Sequence, residues 1–143
     1  DKDTVYNEVF LDKQNLERMF GCQITGMAYP YGTYNDEVVQ ILKKCKIQYA
    51  RSVVSSGAFK LQKNLLIFKP TCHHADENIW ELLEKFLKEK SEEKQLFYIW
   101  GHSYEFDVNN NWKRMEEILD IIISFMEQTG KCFFPVNRKQ KSD

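Results

Sequence analysis

The sequence predicts an α/β protein with mostly parallel strands alternating with helices, and three observations carry that reading. Apolar spacing along the chain switches repeatedly between the 3.6-residue period of an amphipathic helix and short β-branched runs. Leu96–Trp100 is continuously apolar, the pattern of a strand covered on both faces in a parallel sheet. Strands that alternate with helices are joined by right-handed crossovers, which makes the strands parallel.

The elements follow in order. Val5, Phe10, Leu11, Leu16, Met19 and Phe20 recur at helical spacing until Gly21 stops the pattern as a C-terminal cap does. Residues Gln23 to Tyr29 carry Ile24, Thr25 and Met27 and run into a Pro-Tyr-Gly turn, which suits a strand ending in a loop. Asn35 is an N-cap followed by Asp36 and Glu37, acidic residues that oppose the helix dipole favourably. Val38, Val39, Ile41 and Leu42 supply that helix's inner face. Ile47–Val54 and Leu65–Phe68, the latter stopped by Pro70, read as strands. Asp76 is read as the cap of a helix whose buried face is Ile79, Trp80, Leu83, Phe86 and Leu87. After the strand at Leu96–Trp100 and an Asn-rich turn at Asn109–Asn111, helix signals run from Trp112 to Gln128. Gly130 ends them, and Cys132–Val136 reads as a last strand.

Composition narrows the classes of partner. The 143 residues are 43% hydrophobic, 14% aromatic and 29% charged, which fits one folded domain or a piece of one and excludes a disordered chain. Its 20 basic and 21 acidic residues are interspersed, leaving no basic stripe for phosphate backbones, so nucleic acid is not an expected partner. The longest apolar run, Ile118–Met126, is broken by Asp120 and too short to span a bilayer, so no membrane partner is expected either. No signal peptide is visible; the compartment stays open, with the cytoplasm favoured. Cys22, Cys45, Cys72 and Cys132 are widely spaced and read as free, mostly buried thiols. No Gly/Ser/Pro-rich linker divides the chain; residues 1–136 read as one unit and residues 137–143 as a polar tail.

In α/β sheets the loops after the C-terminal ends of strands hold the chemistry. That rule selects Tyr29-Pro30-Tyr31-Gly32-Thr33-Tyr34-Asn35 and Gly101-His102-Ser103-Tyr104-Glu105-Phe106-Asp107. The second segment sets an imidazole beside Glu105 and Asp107 among aromatic residues, a setting for a proton donor or for a loop-tethering histidine. Tyr104, Phe106 and Trp112 have the apolar ring faces that suit a pyranose, though packing is the commoner fate of such rings. Cys72-His73-His74 with Asp76 offers metal donors. Adjacent residues on an extended strand point to opposite faces, however, so loop packing or a place in a substrate loop is the better reading of the two histidines.

Gly26–Asn35, followed by a helix and by Ile47-Gln48-Tyr49-Ala50-Arg51, resembles the R-x-P-Y-G segment and the succeeding α/β unit of the polysaccharide deacetylases. Tyr98-Ile99-Trp100-Gly101-His102 resembles that family's late L-x-H motif. The resemblance implies the C-terminal part of a distorted (β/α) barrel and a metal-dependent hydrolase of C–N bonds that deacetylates glycans. It assigns His102 as the proton donor to the leaving amine and Tyr31 as the residue whose backbone N–H stabilises the oxyanion. Pro30 shapes the turn and, with Tyr29, Arg51, Tyr104, Glu105, Asp107 and Trp112, is expected at the substrate. The chain departs from the family at Ala28, where an arginine is usual, and at Trp100, where leucine is usual. An aspartate–tryptophan segment is missing near Ala50–Val53.

The family's Asp-Asp pair and H-x-x-x-H segment, which hold a divalent ion, commonly zinc, are not found in this sequence. No residue of the chain is therefore assigned as a metal ligand. The expectation is a C-terminal fragment, inactive alone, whose metal ligands lie upstream. The alternative is a non-catalytic carbohydrate-binding or scaffold module. Exposed sheet edges add the expectation of a homo-oligomer, or of pairing with the missing N-terminal half.

Overall fold

The structure, a computed structural model, describes residues 1–129. The strand expected at Cys132–Val136, the tail at 137–143 and Cys132 lie outside the described residues. The chain divides into two compact units, Asp1–Trp100 and a second that begins at Gly101.

In the first unit the element order is α1 (Lys2–Phe20), β1 (Gly26–Ala28), α2 (Asp36–Lys44), β2 (Tyr49–Arg51), β3 (Cys72–His73), α3 (Ile79–Lys88) and β4 (Ile99–Trp100). The Asp1 carboxylate accepts from Asp3 N and Thr4 N at the start of α1, and Gly21 ends the helix in the left-handed region at φ 61°, its N–H bonded to Glu17 O. The Asn35 side chain caps α2 by accepting from Val38 N at 2.9 Å.

The strands are parallel, as the alternation predicts. β1 pairs with β2 in the register Gly26–Tyr49, Met27–Ala50, Ala28–Arg51, and β3 pairs with β4 as Cys72–Ile99 and His73–Trp100. They form two two-stranded sheets. Phe68 extends the first sheet by a parallel bridge to Arg51, donating its N–H to Ala50 O at 2.9 Å and accepting Ser52 N–H at 2.8 Å. The α/β class stands on this arrangement.

The core of the unit gathers the inner face of α2 (Val39, Ile41, Leu42) with Tyr29, Cys45, Ile47, Ala50 and Leu66, and Val5, Tyr6, Val9 and Phe10 of α1 pack against it. Leu42 is fully buried, as is Ile79 of α3; each such side chain contributes about 1.5–3 kcal/mol over leaving it in water. Phe59, Phe86 and Phe97 form an aromatic trio with ring centroids 5.2–5.7 Å apart. Cys45 and Cys72 are buried and Cys22 is partly buried.

The second unit holds α4 (Ser103–Val108) and α5 (Trp112–Thr129). Asn110 takes the left-handed conformation at φ 48°, a position asparagine tolerates, and turns the chain between them. Trp112 stacks on Phe106 at 4.8 Å. No helix among the described residues is long and apolar enough to cross a membrane.

Several sequence expectations need correction. Leu65–Ile67 is a 3₁₀ turn, not a strand, because the Asn64 side chain accepts from Leu66 N and curls the backbone. The N-cap of α3 is Asn78; Asp76 lies in the preceding turn, accepting from Asn78 N. Strand four is only Ile99–Trp100 and is partly exposed, so it is not covered on both faces. The segment after it, read as a loop, contains α4. On α1, Leu11, Met19 and Phe20 are exposed: only the Val5–Tyr6–Val9–Phe10 face meets the core.

Candidate functional site

Parallel pairing sends the C-terminal ends of β1 and β2, and of β3 and β4, in common directions, and the segments read as functional begin at those ends. Tyr29 N–H donates to Arg51 O at 3.0 Å, which ties the exit of β1 to the exit of β2. The Tyr29 ring is 3% exposed and stacks on Tyr34 at 4.9 Å, and its hydroxyl donates to Leu66 O at 2.6 Å. Burial, with Tyr34 adding to it, pushes that hydroxyl up to about 12. Of the residues expected at the substrate, Tyr29 is thus a buried support beneath the turn.

The turn itself is exposed and constrained. Gly32 N–H bonds to Tyr29 O and Thr33 N–H to Pro30 O, so the Tyr31 N–H is outside the turn's own hydrogen bonds. Tyr31 sits at φ 56°, ψ 11° with its side chain 95% exposed, a left-handed conformation unusual for a bulky residue and costing about 1–2 kcal/mol. Gly32 follows at φ 70°, where a Cβ would come within 2.4 Å of the Val53 side chain. Only glycine fits.

At the exits of β2, β3 and β4 a second group forms within the same unit. The Arg51 guanidinium carbon lies 4.8 Å from the centre of the Trp100 ring. The His73 ring meets the same indole edge-on at 4.5 Å. His73 Nδ1 accepts Ala75 N–H at 3.1 Å, which places the ring proton of the neutral form on Nε2. The His73 and His74 rings are 4.3 Å apart, because the strand ends at His73 and the chain turns. The two side chains therefore do not face opposite ways, as adjacent residues on an extended strand would. Sequence reasoning missed this grouping because it placed both histidines on one extended segment, whereas the strand is only Cys72–His73 and His74 lies beyond its end.

In the second unit Glu105 engages His102 twice: its carboxylate accepts His102 N–H at 2.9 Å and lies 3.6 Å from Nδ1. The imidazole is half-exposed and is 5.4 Å from the Tyr104 ring. Asp107 accepts Trp112 Nε1–H at 2.7 Å and so fixes the indole, which is 48% exposed. His102, Tyr104 and Glu105 are brought together, and Asp107 with Trp112.

A family model described as polysaccharide deacetylase matches residues 1–50. The chain resembles the polysaccharide deacetylases there. The matched stretch contains α1, β1, the Pro30-Tyr31-Gly32 turn, α2 and the start of β2, and it ends before His102. No curated protein and no solved structure matches. Deacetylases of this family are generally metal-dependent. Among the described residues of the first unit, His73 and His74 set two nitrogen donors within 4.8 Å of one another.

Proposed function

We propose that this chain is the C-terminal part of a metal-dependent deacetylase that removes acetyl groups from a glycan, with the metal ligands supplied by an upstream part of the polypeptide. The observation that carries the reading is the family match over residues 1–50, which includes the strained, exposed turn at Tyr31. In such enzymes the metal activates water and polarises the acetyl carbonyl.

This chain's residues supply the rest. The Tyr31 N–H, outside the turn's own hydrogen bonds, donates to the oxyanion as charge develops there. His102 protonates the departing amine, with Glu105 holding its backbone and lying beside Nδ1. Pro30 and Arg51 contact the sugar, and buried Tyr29 supports the turn from below.

In the full-length protein, His102→Ala should lower turnover by a factor on the order of a hundred or more, as for loss of a positioned general acid. Acetate release at steady state measures it, and an unchanged rate removes His102 from the mechanism.

A second reading is favoured by the departures at Ala28 and Trp100 from the family's pattern: a non-catalytic carbohydrate-binding or scaffold module that keeps the deacetylase-like fold. It predicts glycan binding in calorimetry by a full-length protein that releases no acetate with any divalent ion added.

A further inference from the structure

We infer that Arg51 is a carboxylate-binding residue that selects acidic glycans over neutral ones; the inference rests on the glycan reading above and concerns what the sugar carries. Arg51 is the last residue of β2, at the strand end where ligands of parallel sheets bind. The residue is partly buried, and its guanidinium lies over the Trp100 indole at 4.8 Å. Among the described residues its one side-chain hydrogen bond is a long one, 3.3 Å, from Nη1 to Ser52 O.

No carboxylate of the described residues pairs with Arg51, although the chain carries 21 acidic side chains. Lys2, Lys13, Lys60, Lys88 and Lys113 each have an acidic partner. A guanidinium presents five donors in a planar fork that matches a carboxylate with two parallel bonds. Here the indole on one face and the Ser52 carbonyl at one nitrogen fix the plane of that fork while most of its donors stay uncommitted. An arginine held by stacking instead of by an ion pair is set up for an anion that arrives from outside. The His73 ring, edge-on against the same indole, brings no negative charge to the surroundings.

The ligand that this chemistry recognises is a sugar bearing a carboxylate, such as a uronic acid unit in an N-acetylated chain. A matched pair of probes tests it: a hyaluronan tetrasaccharide, which alternates glucuronate with N-acetylglucosamine, against chitotetraose, which carries N-acetyl groups and no charge. In calorimetry at low ionic strength with the full chain, the acidic probe should bind at least about ten-fold more tightly. The preference should shrink as salt is added. Arg51→Met should abolish the preference, lowering affinity for the acidic probe at least about ten-fold more than affinity for chitotetraose. Arg51→Lys, which keeps the charge but loses the fork, should retain only part of it.

The Arg51 Nε–H resonance of the wild-type chain should move on addition of the acidic probe and not the neutral one, a readout that needs no variant to fold. Equal affinity for both probes, a preference that survives Arg51→Met, or an Arg51 signal indifferent to the acidic probe would each overturn the inference. Acidic binding through Arg51 in a full-length protein that releases no acetate would leave this site standing and remove the deacetylase reading instead.

Discussion

Tyr29 shows how one side chain serves the turn that follows it. Its ring fills the core beneath Pro30 and Tyr31, and its hydroxyl satisfies a backbone carbonyl that would otherwise be buried without a partner. Tyr29→Phe removes the donor and keeps the ring, so unfolding in urea should show a loss of about 1–2 kcal/mol. The same residue gives a pH signature. Its hydroxyl is pushed up to about 12 in the folded chain, against 10.0 when solvated. Between those values the unfolded chain has released a proton that the native chain keeps. The native state then binds more protons, so stability falls as pH rises from about 10 to about 12, and the contribution is intact below 10. Tyr29→Phe should therefore flatten the alkaline limb of the stability curve. An unchanged alkaline slope would mean that the hydroxyl is not held as described.

At the scale of elements, the legible parts of this sequence were those with a local cause. Asn35, with two acidic residues behind it, specified the start of α2, and Gly21 specified the end of α1. Asn35→Ala should cost about 1 kcal/mol in denaturant unfolding, with Asn35→Asp close to neutral; equal losses in both would mean that the side-chain cap at Val38 N is not what starts the helix.

What sequence misread was set by longer-range or competing contacts. The apolar run Leu65–Phe68 looked like a strand, yet Asn64 captures Leu66 N and only Phe68 reaches the sheet. β3 is two residues long and exists because β4 lies beside it, a pairing that no local window contains. Asp107, taken as part of a loop, sits on α4 and orients Trp112 five residues away. The rim turn was legible from Pro-Tyr-Gly alone, whereas the stacking of Arg51 on Trp100 joins positions 49 apart in sequence and was not.

For the molecule as an assembled object, the decisive feature is the outer edge of β1. That strand pairs only with β2 among the described residues, so its other side offers backbone groups to a further strand. Beside it runs a groove of about 520 Å³ lined by Val9, Leu16, Ile24, Met27 and Pro30, with Glu8, Asp12 and Lys13 among its charged residues. Leu11, Met19 and Phe20 add exposed apolar surface on α1. An edge of this kind is a template for pairing, and natural proteins blunt such edges with lysine. We therefore expect the chain alone to form a dimer or higher oligomer in light scattering at micromolar concentration. Ala28→Lys, at an exposed β1 position lining the groove, should shift it to monomer without altering its circular dichroism. The upstream polypeptide, added in trans, should compete for the same edge and dissolve the self-association. A wild-type chain that runs as a clean monomer would show that the edge is already satisfied, and would count against a missing upstream strand as its partner.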